Sequence, residues 1–151
     1  MRVSKKRGRD LLGQVWLFER CSNKELDLLQ DAATEMEFPP GKELTTQGEM
    51  GRHFMVIVEG DAEVTRDGTQ IARLGPGSFF GEMSLLDGQP RTATVTTLEP
   101  TRVLMLTNAA FTGALATMPS VDRKMLTVLA ARLRDIEARY VPVNERKIEP
   151  A

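Results

Sequence analysis

From Glu35 to Thr107 short apolar runs alternate with turn residues at fairly regular intervals, and this rhythm constrains the fold more than any other feature. Phe38-Pro39-Pro40-Gly41 and Gln47-Gly48-Glu49-Met50-Gly51 read as turns. Phe54–Val58 is a compact apolar strand that stops at Glu59-Gly60. Ala62, Val64 and Arg66 then alternate with Glu63 and Thr65, and Asp67-Gly68 joins this strand to Thr69–Leu74. An Asp-Gly pair between two alternating runs is a strong two-residue hairpin signal, because both positions tolerate positive φ. Gly75-Pro76-Gly77 turns the chain again, and Thr92–Leu98 and Thr101–Leu106 flank a turn at Glu99-Pro100. Many short strands with such turns predict an antiparallel jelly-roll β-barrel over about residues 35–107.

Helical patterns flank this stretch, so the fold class is mainly β with an N-terminal helix and two C-terminal helices. Asp10–Phe18 is a short apolar helix or turn, with Trp16 and Phe18 expected to pack it on the barrel. Ser22-Asn23-Lys24-Glu25 is a capping box, and Leu26, Leu29, Ala32 and Ala33 share one face of a helix over roughly 22–33. After the strands, Asn108 is placed to cap a short helix carrying Phe111, Leu115 and Met118, which Pro119 ends. Ser120 is placed to cap a longer one to about Tyr140, with Leu126, Leu129, Leu133, Ile136 and Tyr140 spaced three and four apart, and Val141-Pro142 stops it. The expected organisation is a disordered basic head over 1–9, one domain over 10–140 with its last helices over 108–140, and a flexible tail over 141–151.

The functional signal lies in Phe79–Val95, FFGEMSLLDGQPRTATV. Glu82 follows Gly81, and Arg91 stands nine residues later, between a proline and small residues. A Gly-Glu offers backbone N–H groups and an acceptor for sugar hydroxyls. An Arg-Thr-Ala offers a planar guanidinium, which grips a phosphate in fork geometry, and further N–H groups. Together they suit a ribose phosphate. Through Phe80-Gly81-Glu82, Met83, Ser84, Leu85-Leu86 and Pro90-Arg91-Thr92-Ala93 the stretch resembles the phosphate-binding cassette of the cyclic nucleotide-binding domain family. That family includes cyclic-nucleotide-gated channels, cyclic-nucleotide-dependent kinases and catabolite-activator-type regulators. The order helix, jelly roll, helix, longer helix extends the resemblance over roughly residues 12–140.

The resemblance implies a non-catalytic sensor of a 3′,5′-cyclic nucleotide. Arg91 would bind the cyclic phosphate, helped by Thr92, Ala93, Ser84 and Met83, and Glu82 with Gly81 would bind the ribose. The base would rest on apolar barrel residues, for which Val56, Ile71, Leu74 and Val95 are candidates. Thr92 permits a guanine without demanding it, and an apolar pocket lacking a clear donor for guanine O6 favours cAMP over cGMP. The resemblance also implies that the C-terminal helix moves over the base as a lid, with Leu129, Arg132, Leu133, Ile136 and Tyr140 as candidates. The same stripe reads equally as a homodimer seam, or, with less weight, as plain packing on the barrel.

Composition narrows the alternatives. Net charge is −1, but Arg2, Lys5, Lys6, Arg7 and Arg9 stand in a head without acids, leaving 15 basic and 21 acidic residues in the remaining 142. An acidic body predicts no specific nucleic-acid binding, only weak and salt-sensitive contact through the head. Only 11 residues follow Tyr140, too few for a helix-turn-helix domain. One histidine, His53, and one cysteine, Cys21, leave no metal set and no nucleophile–base pair, so neither metal, cofactor nor catalysis is expected. No apolar run approaches the ~20 residues of a membrane span, and the basic head is not followed by the apolar h-region of a signal peptide. A cytoplasmic, bacterial protein acting on an unidentified effector is the expected setting. A ligand-free interaction domain on the same fold is the alternative.

Overall fold

The computed structural model of the chain describes residues 5–139. Helix α1, Lys5–Gln14, precedes a 3-10 turn at Trp16–Phe18 and helix α2, Asn23–Ala32. Helix α1 starts ahead of the expected Asp10, so Lys5–Arg9 of the basic head are helical. Ser22 caps α2 as its spacing predicts: Glu25 N donates to Ser22 Oγ, and Ser22 N donates to Glu25 Oε1. The strands are β1 Thr34–Phe38, β2 Glu43–Thr45, β3 His53–Glu59, β4 Ala62–Arg66, β5 Thr69–Leu74, β6 Phe79–Phe80, β7 Thr94–Thr97 and β8 Thr101–Thr107. Helix α3, Glu82–Asp87, lies between β6 and β7. Helices α4, Asn108–Thr117, and α5, Pro119–Arg139, close the described chain.

The strands form two antiparallel four-stranded sheets, ordered β1-β8-β3-β6 and β2-β7-β4-β5. The expected jelly roll is present, as two facing sheets rather than a hydrogen-bonded closed barrel. The β4–β5 hairpin turns at Asp67 and Gly68 with φ of 52° and 81°, the positive values that a two-residue turn of this kind requires.

Strand β3 has apolar partners on both faces, so almost all of it is apolar. Met55 and Ile57 meet Phe80, Val95 and Val103 between the sheets. Phe54 and Val56 face the helices, where they join Leu17, Phe18, Leu29, Phe111, Val121 and Met125. Phe54 stacks on Phe111 at 4.6 Å between ring centroids and meets Phe18 edge-on. The helices thus form a third layer on the outer face of the first sheet. Trp16 departs from expectation: it is 43% exposed, with Lys124 Nζ 4.7 Å from its ring centroid.

Helix α4 is capped, and helix α5 begins, ahead of the residues the sequence suggests. Thr107, not Asn108, caps α4, accepting from Ala110 N. Helix α5 opens at Pro119, whose missing N–H costs nothing at a first helical position. Helix α5 buries Val121 and Met125 and packs Leu129 against the core, whereas Leu126, Leu133 and Ile136 of the expected stripe are exposed.

Candidate functional site

The cassette folds as strand, short helix and loop. Gly81 leaves β6 with φ of 96°, and a side chain there would meet the His53 carbonyl and Arg91 Nη1. Only glycine combines that backbone with that closeness. Helix α3 then carries Glu82 and Ser84 inward and leaves Met83 exposed, and Gly88 closes it in the left-handed region.

Arg91 is buried beneath the loop that joins β2 to β3. Its Nη1 donates to Gly81 O and its Nη2 to His53 O, each at 2.8 Å. The main chain is held as well: Arg91 N donates to Glu49 O at 2.7 Å, and Gly48 N donates to Arg91 O at 2.8 Å. Among the described residues no carboxylate forms an ion pair with Arg91. Burial pushes its guanidinium below the usual arginine pKa, and the charge of Glu82 opposes part of that effect. The guanidinium keeps further N–H donors beyond the two engaged with carbonyls. It lines a cavity of about 450 Å³, together with Glu43, Leu44, Thr45, Thr46, Glu49, Met50, Arg52, His53 and Met55.

Glu82 is only 2% exposed and does not line that cavity. Arg132 Nη1 of α5 lies against its Oε1 as an ion pair, without hydrogen-bond geometry. The helix expected to act as a lid therefore reaches the cassette through Arg132, and through the residue expected to bind ribose.

Around this centre the second sheet fixes the loops. Arg66 Nε donates to Thr92 O, Gln47 N donates to Thr94 Oγ1, and Gln47 and Asp67 exchange two hydrogen bonds at the hairpin tip. Thr45 Oγ1 donates to Ala93 O. Thr92 itself is exposed, and Ala93 is half-buried.

The four base-pocket candidates do not line the cavity. Val56 packs toward the helices, Val95 and Leu74 pack between the sheets, and Ile71 is exposed on β5. Leu44, Met50 and Met55 provide the apolar lining instead. Of the lid candidates, Leu129 packs on the helix-side core, Leu133 and Ile136 are exposed, and Tyr140 lies outside the described residues. The sequence predicts only a turn over Gln47–Gly51. In fact this loop grips Arg91 through the carbonyls of Glu49 and His53, and Gly51 lies against its guanidinium. The pair Gly48 and Gly51 was the available signal.

Among the described residues no cluster of three metal-ligating side chains occurs, and no helix is long and apolar enough to cross a membrane. The fold is a jelly roll flanked by helices, with a buried arginine and a buried glutamate in one glycine-led cassette. Residues 35–118, more than half of the chain, match the family described as the cyclic nucleotide-binding domain, and the chain belongs to that family. It is 38% identical over 119 residues to a cAMP-dependent protein kinase regulatory subunit of Mycosarcoma maydis, a match covering 73% of this chain and 23% of that protein. It is 28% identical over 130 residues to a CRP-like cAMP-activated global transcriptional regulator of Mycobacterium tuberculosis, covering 83% of this chain and 58% of that protein. Among solved structures, the catabolite activator protein of Thermus thermophilus superposes with a TM-score of 0.74 at 31% identity, over 81% of this chain and 60% of that one. The chain thus spans a quarter to three fifths of these relatives.

Proposed function

We propose that this domain is a non-catalytic sensor that binds a 3′,5′-cyclic nucleotide, cAMP in preference to cGMP, and signals through its C-terminal helix. The observation that carries the reading is Arg91: a buried cation without a carboxylate partner, lining an open cavity within the cassette. A cyclic phosphate would supply the missing anion, with the N–H groups of Met83, Ser84, Thr92 and Ala93 available for its remaining oxygens. Leu44, Met50 and Met55 give an apolar surface for the base. The similarity to a cAMP-dependent protein kinase regulatory subunit and to a cAMP-activated transcriptional regulator lends the same support.

Glu82 would accept the ribose 2′-OH, but its carboxylate faces Arg132 in the described arrangement. Binding of the sugar would therefore require Arg132 to move or to share the carboxylate. That competition links occupancy to α5. The exposed Leu126, Leu133 and Ile136 would then serve an effector protein or a second copy of the chain.

Calorimetric titration with cAMP, cGMP and 2′-deoxy-cAMP, against wild type and Arg91→Ala, tests the proposal. The expected result is binding of cAMP ahead of cGMP, weakened by removal of the 2′-OH and lost in Arg91→Ala. Folded wild-type protein that takes neither nucleotide would refute it and favour a ligand-free interaction domain.

A further inference from the structure

A second arginine lines the same cavity. Arg52 lies between Gly51 and His53, and both of these neighbours touch the guanidinium of Arg91: Gly51 by close approach, His53 through its carbonyl at 2.8 Å from Nη2. The Arg52 backbone is thereby fixed beside the phosphate-binding candidate. The residue is exposed, lines the cavity, and has no ion-pair partner among the described residues.

Two acids line the cavity as well and would oppose an anion. Glu43 accepts a hydrogen bond from Thr46 Oγ1, so it is engaged at the β2 end. Glu49 contributes its carbonyl to Arg91 N, and its exposed side chain forms no ion pair with Arg52. Arg52 is left as a free cation beside a buried one. Arg91 has already committed one N–H of each terminal nitrogen to a main-chain carbonyl, so its fork is only partly open.

We infer that Arg52 is a second anion-recognition residue of this site, closing from the solvent side on the phosphate that Arg91 holds from beneath. This rests on the proposed binding of a cyclic nucleotide, and it adds a specificity determinant outside the cassette. A guanidinium here would contribute charge-assisted hydrogen bonds to an exocyclic oxygen and a share of the salt dependence of binding.

The test is titration of cAMP into wild type, Arg52→Ala, Arg52→Lys and Arg91→Ala at two or more salt concentrations. Arg52→Ala should weaken binding about fivefold, the size of one exposed ion pair. It should also flatten the dependence on salt, and Arg52→Lys should restore that dependence. Because Arg52 is exposed, the variant should keep the wild-type circular dichroism. Affinity and salt dependence equal to wild type in Arg52→Ala would overturn the inference while leaving the role of Arg91 intact. Should wild type bind no cyclic nucleotide, the parent reading fails, and inorganic phosphate becomes the probe. Protection by phosphate against thermal unfolding, lost in Arg52→Ala, would sustain the second cation. Protection unchanged in Arg52→Ala would remove it.

Discussion

Gly51→Ala adds one methyl group at the point where the β2–β3 loop crosses Arg91. The φ of Gly51 lies outside the left-handed region, so the backbone itself accepts alanine. The conflict is with the neighbours: the new Cβ would meet Arg91 Cζ, lie 2.5 Å from Arg91 Nε and 2.7 Å from Ser84 Cβ. The buried arginine is the more movable of these groups, so it should give way. It would then lose its hydrogen bonds to the carbonyls of Gly81 and His53. Overpacking costs about 1–3 kcal/mol, and a hydrogen bond from a charged donor is worth about 1.5–3 kcal/mol. Partial rehydration of the displaced guanidinium offsets some of this. A net loss of about 2–4 kcal/mol follows, short of unfolding a domain of ordinary stability. On the proposed function, ligand affinity should fall at least about tenfold, because the guanidinium proposed to hold the phosphate is no longer in place. A double-mutant cycle isolates the cause. In an Arg91→Ala background the two closest contacts, both to the guanidinium, are gone and Ser84 Cβ at 2.7 Å remains, so the cost of the methyl group should shrink to about 1 kcal/mol. Urea denaturation of the four proteins gives the coupling energy, expected at about 1–3 kcal/mol. Costs that add within about 0.5 kcal/mol would refute the claim that Gly51 exists to make room for Arg91.

Arg132→Ala should lower the stability of the free protein by about 1–2 kcal/mol, since it leaves buried Glu82 facing an absent, half-exposed partner. It should at the same time tighten cyclic nucleotide binding, because the carboxylate is released to the ribose; weaker binding in calorimetry would contradict the competition. Thr97→Val keeps the shape of a 1%-exposed side chain but removes a hydroxyl that donates to Pro39 O at 2.7 Å and accepts from Lys42 N at 2.8 Å. A loss of about 2 kcal/mol is expected, read as a lower urea midpoint at unchanged slope. Burial pushes the thiol pKa of Cys21 up, so alkylation at pH 8 should run slower in the folded protein than in urea. The linked sign is that the contribution of Cys21 to stability is full below the unfolded thiol value, about 8.5, and is lost as pH rises through the higher folded value.

Much of this architecture was legible because it is written in residues with narrow conformational roles. The Asp67-Gly68 hairpin and the Ser22–Glu25 capping box each restrict φ or satisfy a specific N–H. Strands β2 and β6, with three and two residues, are too short to show any periodicity. The cassette was legible for a chemical reason: few arrangements place a carboxylate, small residues and an arginine at this spacing. The base pocket was not. Phe54–Val58 is apolar at every position, so alternation cannot say which residues face the helices and which face the second sheet. Only the pairing of β3 with β6 and β8 settles that Met55, and not Val56, points between the sheets. The grip on Arg91 was hidden for a different reason. Glu49 and His53 act through main-chain carbonyls, which any residue could supply, so their side chains carry no trace of the role.

A buried guanidinium with only neutral carbonyl partners is an expensive group to fold around, and the scaffold meets that cost before any ligand arrives. The same expense makes the site receptive: an anion reaching Arg91 relieves a desolvated charge instead of creating one. Glu82 works in the opposite sense. Its charge is already answered by Arg132, so a ribose hydroxyl gains there only what remains after α5 gives up its contact. On the proposed reading the two halves of one ligand thus meet different conditions, the phosphate a vacant cation and the sugar an engaged carboxylate. On that reading phosphate would supply the drive, and the sugar would transmit it to the helix. By linkage the coupling runs both ways: whatever holds α5 away from Glu82 must raise ligand affinity by the factor by which ligand favours that position of α5. A partner that captures Leu126, Leu133 and Ile136 with α5 displaced would tighten nucleotide binding without touching the nucleotide. One that captures them with the Arg132–Glu82 contact intact would weaken it.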